Sequence, residues 1–128
     1  MKHIFKKGDQ KTYRRKVTSE DQAIFHGELL HPACSTFALA RDFEWSSRLF
    51  FLEMKEEDEE GVGTLLHIEH KSPAFVGEEI AYTATIEHIG TEFVCHIEAR
   101  VNERMVATGK TAQKMLKKER LTSIFSKR

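Results

Sequence analysis

The chain has 128 residues, enough for one domain with one core but short for an elaborate enzyme, which makes an active site at a subunit interface plausible. Twenty basic residues balance twenty acidic ones, so nothing draws the chain to nucleic acid or to an anionic membrane surface. No apolar run approaches the roughly 20 residues of a membrane span, and Met1–Lys7 has no signal-like apolar region, so a cytoplasmic protein is expected. Cys34 and Cys95 lack metal or CxxC spacing and read as reduced and unpaired.

In chain order, Lys11–Val17 reads as a short polar strand. Ser19 followed by Gln22 fits a capping box and predicts a helix through Ala23, Ile24 and Phe25, ended by Gly27 and Pro32. Ser35–Lys55 predicts a long helix, capped by Ser35 or Thr36 and apolar on most of its circumference, which the rest of the chain must cover. The acidic run from Lys55 to Glu60 reads as a solvated helix end and turn.

From Gly61 the apolar period changes from 3.6 to 2. One parity of the next strand holds Val62, Thr64, Leu66, Ile68 and His70, so His70 shares a mainly apolar face. Pro73 and Gly77 bracket a turn. Ile80, Tyr82, Ala84 and Ile86 alternate in the following strand, Gly90–Thr91 closes a hairpin, and Phe93, Cys95, Ile97, Ala99 and Val101 alternate again. Asn102–Glu103 turns the chain into a last strand over Met105–Met115, and Lys117–Arg128 is a basic tail with helical character around Leu121 and Phe125. The expectation is a single α+β domain over 1–128, a long helix wrapped by a curled antiparallel sheet of about five strands.

Glu44 is the anomaly of the long helix, a carboxylate between Phe43 and Trp45 that is costly to bury without a partner. An ion pair with Arg41 or Arg48 is one reading. The other is chemistry: a carboxylate in apolar surroundings should be harder to ionise, and near the imidazole of His70 it supplies a base or nucleophile with a proton carrier. Backbone N–H groups at the helix start could hold an oxyanion. Thr36 by itself is most simply a helix cap. Phe25, Phe37 and Trp45 could wall an apolar pocket or simply belong to the core, and His26 and His31 could line a channel or have no special role. His67 and His70 point to opposite faces of a strand and cannot share a metal, and Gly61–Val62–Gly63 is not a dinucleotide fingerprint.

The order of elements, with Thr36 and Glu44–Trp45 eight residues on, then Val62–Gly63–Thr64, His70, Pro73 with Val76–Gly77, and Thr108–Gly109–Lys110, resembles the hot-dog fold and, within it, the fluoroacetyl-CoA thioesterase-like family. The resemblance runs from about Ser35 to Met115. It implies hydrolysis of an acyl-CoA thioester, with a short or unusual acyl group. Thr36, Glu44 and His70 match the family's catalytic residues, and Gly63 matches a glycine close to the thioester. Gln113 stands where the fluoroacetyl-specific enzyme has an arginine, and with Phe37 it is assigned to substrate binding. No metal or cofactor is expected beyond the CoA of the substrate, and a homodimer or higher homo-oligomer is implied. A non-catalytic acyl-CoA-binding hot-dog protein and a hot-dog hydratase or dehydratase are the alternatives. In one unbroken helix Thr36 and Glu44 would stand about 12 Å apart along the axis, too far to serve one carbonyl. Either Thr36 lies in the loop before the helix, or a second subunit supplies one of the groups.

Overall fold

A computed structural model describes residues 1–127. Five strands form one antiparallel sheet: β1 (Gln10–Lys16), β4 (Glu59–His70), β5 (Glu79–Ile89), β6 (Phe93–Val101) and β7 (Arg104–Lys117), in the order β1-β5-β6-β7-β4. A separate hairpin, β2 (Gln22–Phe25) and β3 (Glu28–Cys34), precedes the long helix α1 (Thr36–Met54). A short helix α2 (Lys118–Phe125) follows β7, and Arg128 of the expected tail lies outside the described residues. Among the described residues no helix is long and apolar enough to cross a membrane.

α1 begins at the expected cap: the Ser35 hydroxyl oxygen accepts the Ala38 N–H at 3.0 Å. Leu39, Phe43, Phe50, Phe51 and Met54 recur at helical spacing and are fully buried. They pack against Ile80, Tyr82, Ile86, Phe93, Cys95 and Ile97 on the concave face of the sheet. At about 1.5–3 kcal/mol for each large apolar side chain taken out of water, this layer dominates the stability of the fold. The helix is less apolar in effect than its composition predicts. Phe37 is 75% exposed and Trp45 40%, so one stripe is buried and the opposite one faces outward.

Three local expectations are corrected. The capping box forms one residue earlier than predicted, between Thr18 and Asp21, and closes only a 3-10 turn at Ser19–Asp21. Ala23, Ile24 and Phe25 then extend into β2, because His26 (φ 53°) and Gly27 (φ 77°) make a tight turn that pairs them with β3. The acidic run does not stay wholly in solvent. Glu59 opens β4 and is nearly buried beside the N-terminal ammonium of Met1 at 2.9 Å, and Glu60 pairs with Arg48 at 2.8 Å. The Gly61 N–H and the Arg48 guanidinium pull the Glu60 carboxyl down to about 2.

The third correction bears on the site. Along β4 the register with β7 runs Gly63↔Gln113 and then Leu65↔Ala112, so Thr64 is an extra residue, a β-bulge. A bulge resets the alternation of faces. Leu66, Ile68 and His70 share a side as expected, but Gly61 and Gly63 join them in place of Val62 and Thr64. A Cβ on Gly61 would stand 2.9 Å from the Phe51 ring, which shows how closely this strand lies under α1.

Candidate active site

The first turn of α1 and the end of β4 meet. Thr36 Oγ1 lies 3.0 Å from His70 Nδ1, and both side chains are exposed. They open onto a cavity of about 630 Å³ whose apolar wall includes Phe25, Leu30, Phe37 and Phe75. The hairpin β2–β3 is held over this cavity by an Ala33↔Phe75 bridge and by the Cys34 N–H donating to the Ala74 carbonyl at 2.8 Å. His31 lines the cavity, whereas His26 sits in the hairpin turn.

Glu44 lies elsewhere on α1. It is exposed, in a second cleft of about 490 Å³ lined also by Trp45, Arg48, Gly63 and Gln113. Glu44 Oε1 is 3.4 Å from the point where a Cβ on Gly63 would stand. Gln113 is nearly buried and donates through Nε2 to Ser47 Oγ at 2.7 Å, which ties the cleft floor to the helix. Thus the structure brings Thr36 to His70, and Glu44 to Gly63 and Gln113, but it places the two groups in different cavities of one chain. Thr36 is the first residue of α1, so the alternative of a loop threonine falls. Eight residues of unbroken helix separate it from Glu44 by about 12 Å.

The carboxylate that α1 buries is Asp42, not Glu44. Asp42 is 4% exposed and Asp21 3%. Asp42 receives Arg41 Nε and Nη2, each at 3.0 Å, and the Tyr82 hydroxyl at 3.3 Å. Asp21 receives Arg15 Nη2 at 3.1 Å, Arg41 Nη2 at 3.2 Å and the Thr18 N–H at 2.8 Å. Burial works against ionisation of Asp21, but the Thr18 N–H and the two guanidiniums outweigh it and hold its carboxyl below the usual range. Arg41 is held more firmly protonated by its hydrogen bond to Asp42, and burial with the nearby Asp42 charge pushes the Tyr82 hydroxyl up. Arg41 and Arg48, the expected partners of Glu44, are spent on the two aspartates and on Glu60. Among the described residues Glu44 has no ion pair, so its place in the cleft has no structural ion-pair explanation. Asp42 was legible only as a polar residue at an inward helical spacing from Leu39, Phe43 and Ser46.

A single long helix held in the curl of a five-stranded antiparallel sheet, with polar groups gathered at its start and along one open flank, is the hot-dog architecture of the thioesterases. Similar solved structures agree on the fold. A hypothetical protein of Thermus thermophilus, a thioesterase superfamily member, has a TM-score of 0.91 at 24% identity, covering 97% of this chain and 93% of its own. A hot-dog-like protein from Thermanaerovibrio acidaminovorans has 0.89 at 21% identity, with 97% and 93% covered. The fluoroacetyl-CoA thioesterase FlK has 0.85 at 16% identity, with 97% and 98% covered. No curated protein sequence matches the chain. The family model for the fluoroacetyl-CoA-specific thioesterase matches residues 17–119, and the chain belongs to that family.

Proposed function

We propose that this protein hydrolyses acyl-CoA thioesters at sites shared by two subunits, with Glu44 of one facing Thr36 and His70 of the other. The observation that carries the reading is the division of the family's three catalytic positions. Thr36 and His70 are paired and exposed on one cavity, and Glu44 stands exposed and without an ion pair in the next. In a related structure a variant of FlK is held in complex with acetyl-CoA.

A second copy has a place to attach. Among the described residues β4 is an edge strand of 12 residues that pairs with β7 alone, and Leu65 and Leu66 on it are 50% and 41% exposed. A long edge with apolar side chains is ordinarily covered, and a two-fold pairing of β4 with its copy would cover it. Two buried thiols, lifted by burial to about 11 at Cys34 and about 12 at Cys95, are in keeping with a reducing cytoplasmic setting.

In this reading Glu44, open to water in its cleft, takes a proton from a water molecule as that water attacks the thioester carbonyl. The N–H groups of Thr36 and Phe37, which the helix start leaves without an intrahelical acceptor, stabilise the oxyanion. Collapse breaks the C–S bond, and the departing CoA thiolate takes up the proton that Glu44 removed from the water, with the His70 imidazole as its carrier, so that Glu44 ends ionised again. The hydrogen bond between Thr36 Oγ1 and His70 Nδ1 orients the ring. Gly63 and Gln113 bound the side of the cleft where the thioester passes, and Phe37 meets the acyl group. Free-thiol release from a panel of acyl-CoAs tests the reading. Release that depends on both Glu44 and His70 supports it, and acyl-CoA binding without release favours a non-catalytic hot-dog protein.

A further inference from the structure

Phe25, Leu30, Phe37 and Phe75 stand 51%, 52%, 75% and 47% exposed around one cavity of about 630 Å³, and the Thr36–His70 pair sits in its wall. Large apolar side chains left this open in contiguous array mark a binding site, and the volume lies within the range that encloses drug-sized ligands. We infer that this cavity takes the acyl part of the thioester, and that the preferred substrate carries a medium-length or aryl-terminated apolar acyl group, larger than the short group the family resemblance implies. The inference rests on the hydrolase reading for the position of the thioester carbonyl.

Three features decide the occupant. The cavity adjoins the imidazole that serves the carbonyl, so what enters it must be joined to the reacting atoms within a few bonds. Its side chains are mainly aromatic and aliphatic, which suits a hydrocarbon and not the amides and phosphates of the CoA arm. A two-carbon acyl group has too little apolar surface to cover Phe25, Leu30, Phe37 and Phe75 together. The wall also has a built support, because β2 and β3 pair with each other and the Ala33↔Phe75 bridge fixes the hairpin to the loop carrying Phe75.

Each methylene transferred from water to such a wall is worth about fourfold in kcat/KM, the equivalent of about 0.8 kcal/mol, while the cavity fills. The test is kcat/KM across acetyl-, butanoyl-, hexanoyl-, octanoyl- and phenylacetyl-CoA, together with calorimetric affinities of the same compounds and of free CoA for the Glu44→Gln variant. The expected result is a rise of more than tenfold from acetyl to octanoyl in kcat/KM, a matching rise in affinity, and a flattened gradient in Leu30→Gln and Phe75→Ser. A gradient in affinity with no turnover on any compound sustains the apolar acyl cavity and overturns the hydrolase reading. Turnover or affinity that is flat or falls with chain length overturns the acyl cavity, as it would if a second copy of the chain covered Phe37 and Phe75, and leaves the hydrolase reading standing.

Discussion

Two carboxylates two residues apart on one helix should answer mutation in opposite ways. Replacing Asp42 by Ala removes the acceptor of the buried Tyr82 hydroxyl, a loss of about 1–3 kcal/mol. It also removes the anion bonded twice by Arg41. Because Arg41 is 46% exposed it can turn to water, so that part is discounted to about 1 kcal/mol. Arg15 Nε, buried without a hydrogen-bond partner and 3.6 Å from Asp42, is left further uncompensated, bringing the total to about 3–5 kcal/mol. For a domain of this size that is a fall in melting temperature of about 10–20 °C at fixed protein concentration. Asp42→Asn keeps an acceptor for Tyr82 and should lose about half as much. Glu44→Gln changes an exposed side chain with no ion pair, so its stability should stay within about 0.5 kcal/mol of the parent while thioester hydrolysis falls by about 10²-fold or more. Thermal melts and thiol release on the three variants separate the roles. An Asp42→Ala protein that melts with the parent, or a destabilised Glu44→Gln protein with undiminished turnover per folded molecule, would refute the division of labour between these residues.

His70→Ala should keep the fold and lower turnover by about 10²–10⁴, since it removes the proton carrier; unchanged turnover would return His70 to a packing role. Gly109→Ala should fail to fold or lose several kcal/mol, because its Cβ would collide with the His67 carbonyl oxygen in the β4–β7 pairing, and a melt near the parent's would contradict the register. Cys34 and Cys95 should react with a thiol reagent at pH 8 only after denaturation, since both are buried and ionise well above that pH; rapid labelling of the native protein would show that the layer around them opens.

The helix and the strand meander were legible because each rests on a period that the chain displays locally, whereas Thr36 and His70 were singled out together only through the family resemblance, with Glu44 as the partner expected for His70 in place of the Thr36 hydroxyl found beside it. What stayed hidden depends on partners far along the chain. The stretch around Ala23–Phe25 carries a helix-start signal, but the positive φ values at His26 and Gly27 and the pairing with β3 outweigh it. The bulge at Thr64 is one residue of slippage against β7, invisible in β4 itself, yet it decides that Gly63 and not Val62 shares the face of His70. Burial of Asp42 depends on Arg15 and Tyr82, far away in sequence, so a helical pattern alone singled out the more conspicuous Glu44, which turns out to face solvent.

The central claim is that one catalytic centre draws on two chains, and mixing two crippled proteins tests it most directly. Glu44→Gln and His70→Ala, each inactive alone, are unfolded together and refolded as an equal mixture. With statistical pairing of a two-fold dimer, half of the molecules are mixed and each mixed dimer holds one site with both groups intact, so thioester hydrolysis should return to about a quarter of the wild-type rate. Activity that stays at the level of the separate variants, in a mixture shown to contain the mixed dimer, would contradict the shared site and put Glu44 and His70 to work within one chain or not at all.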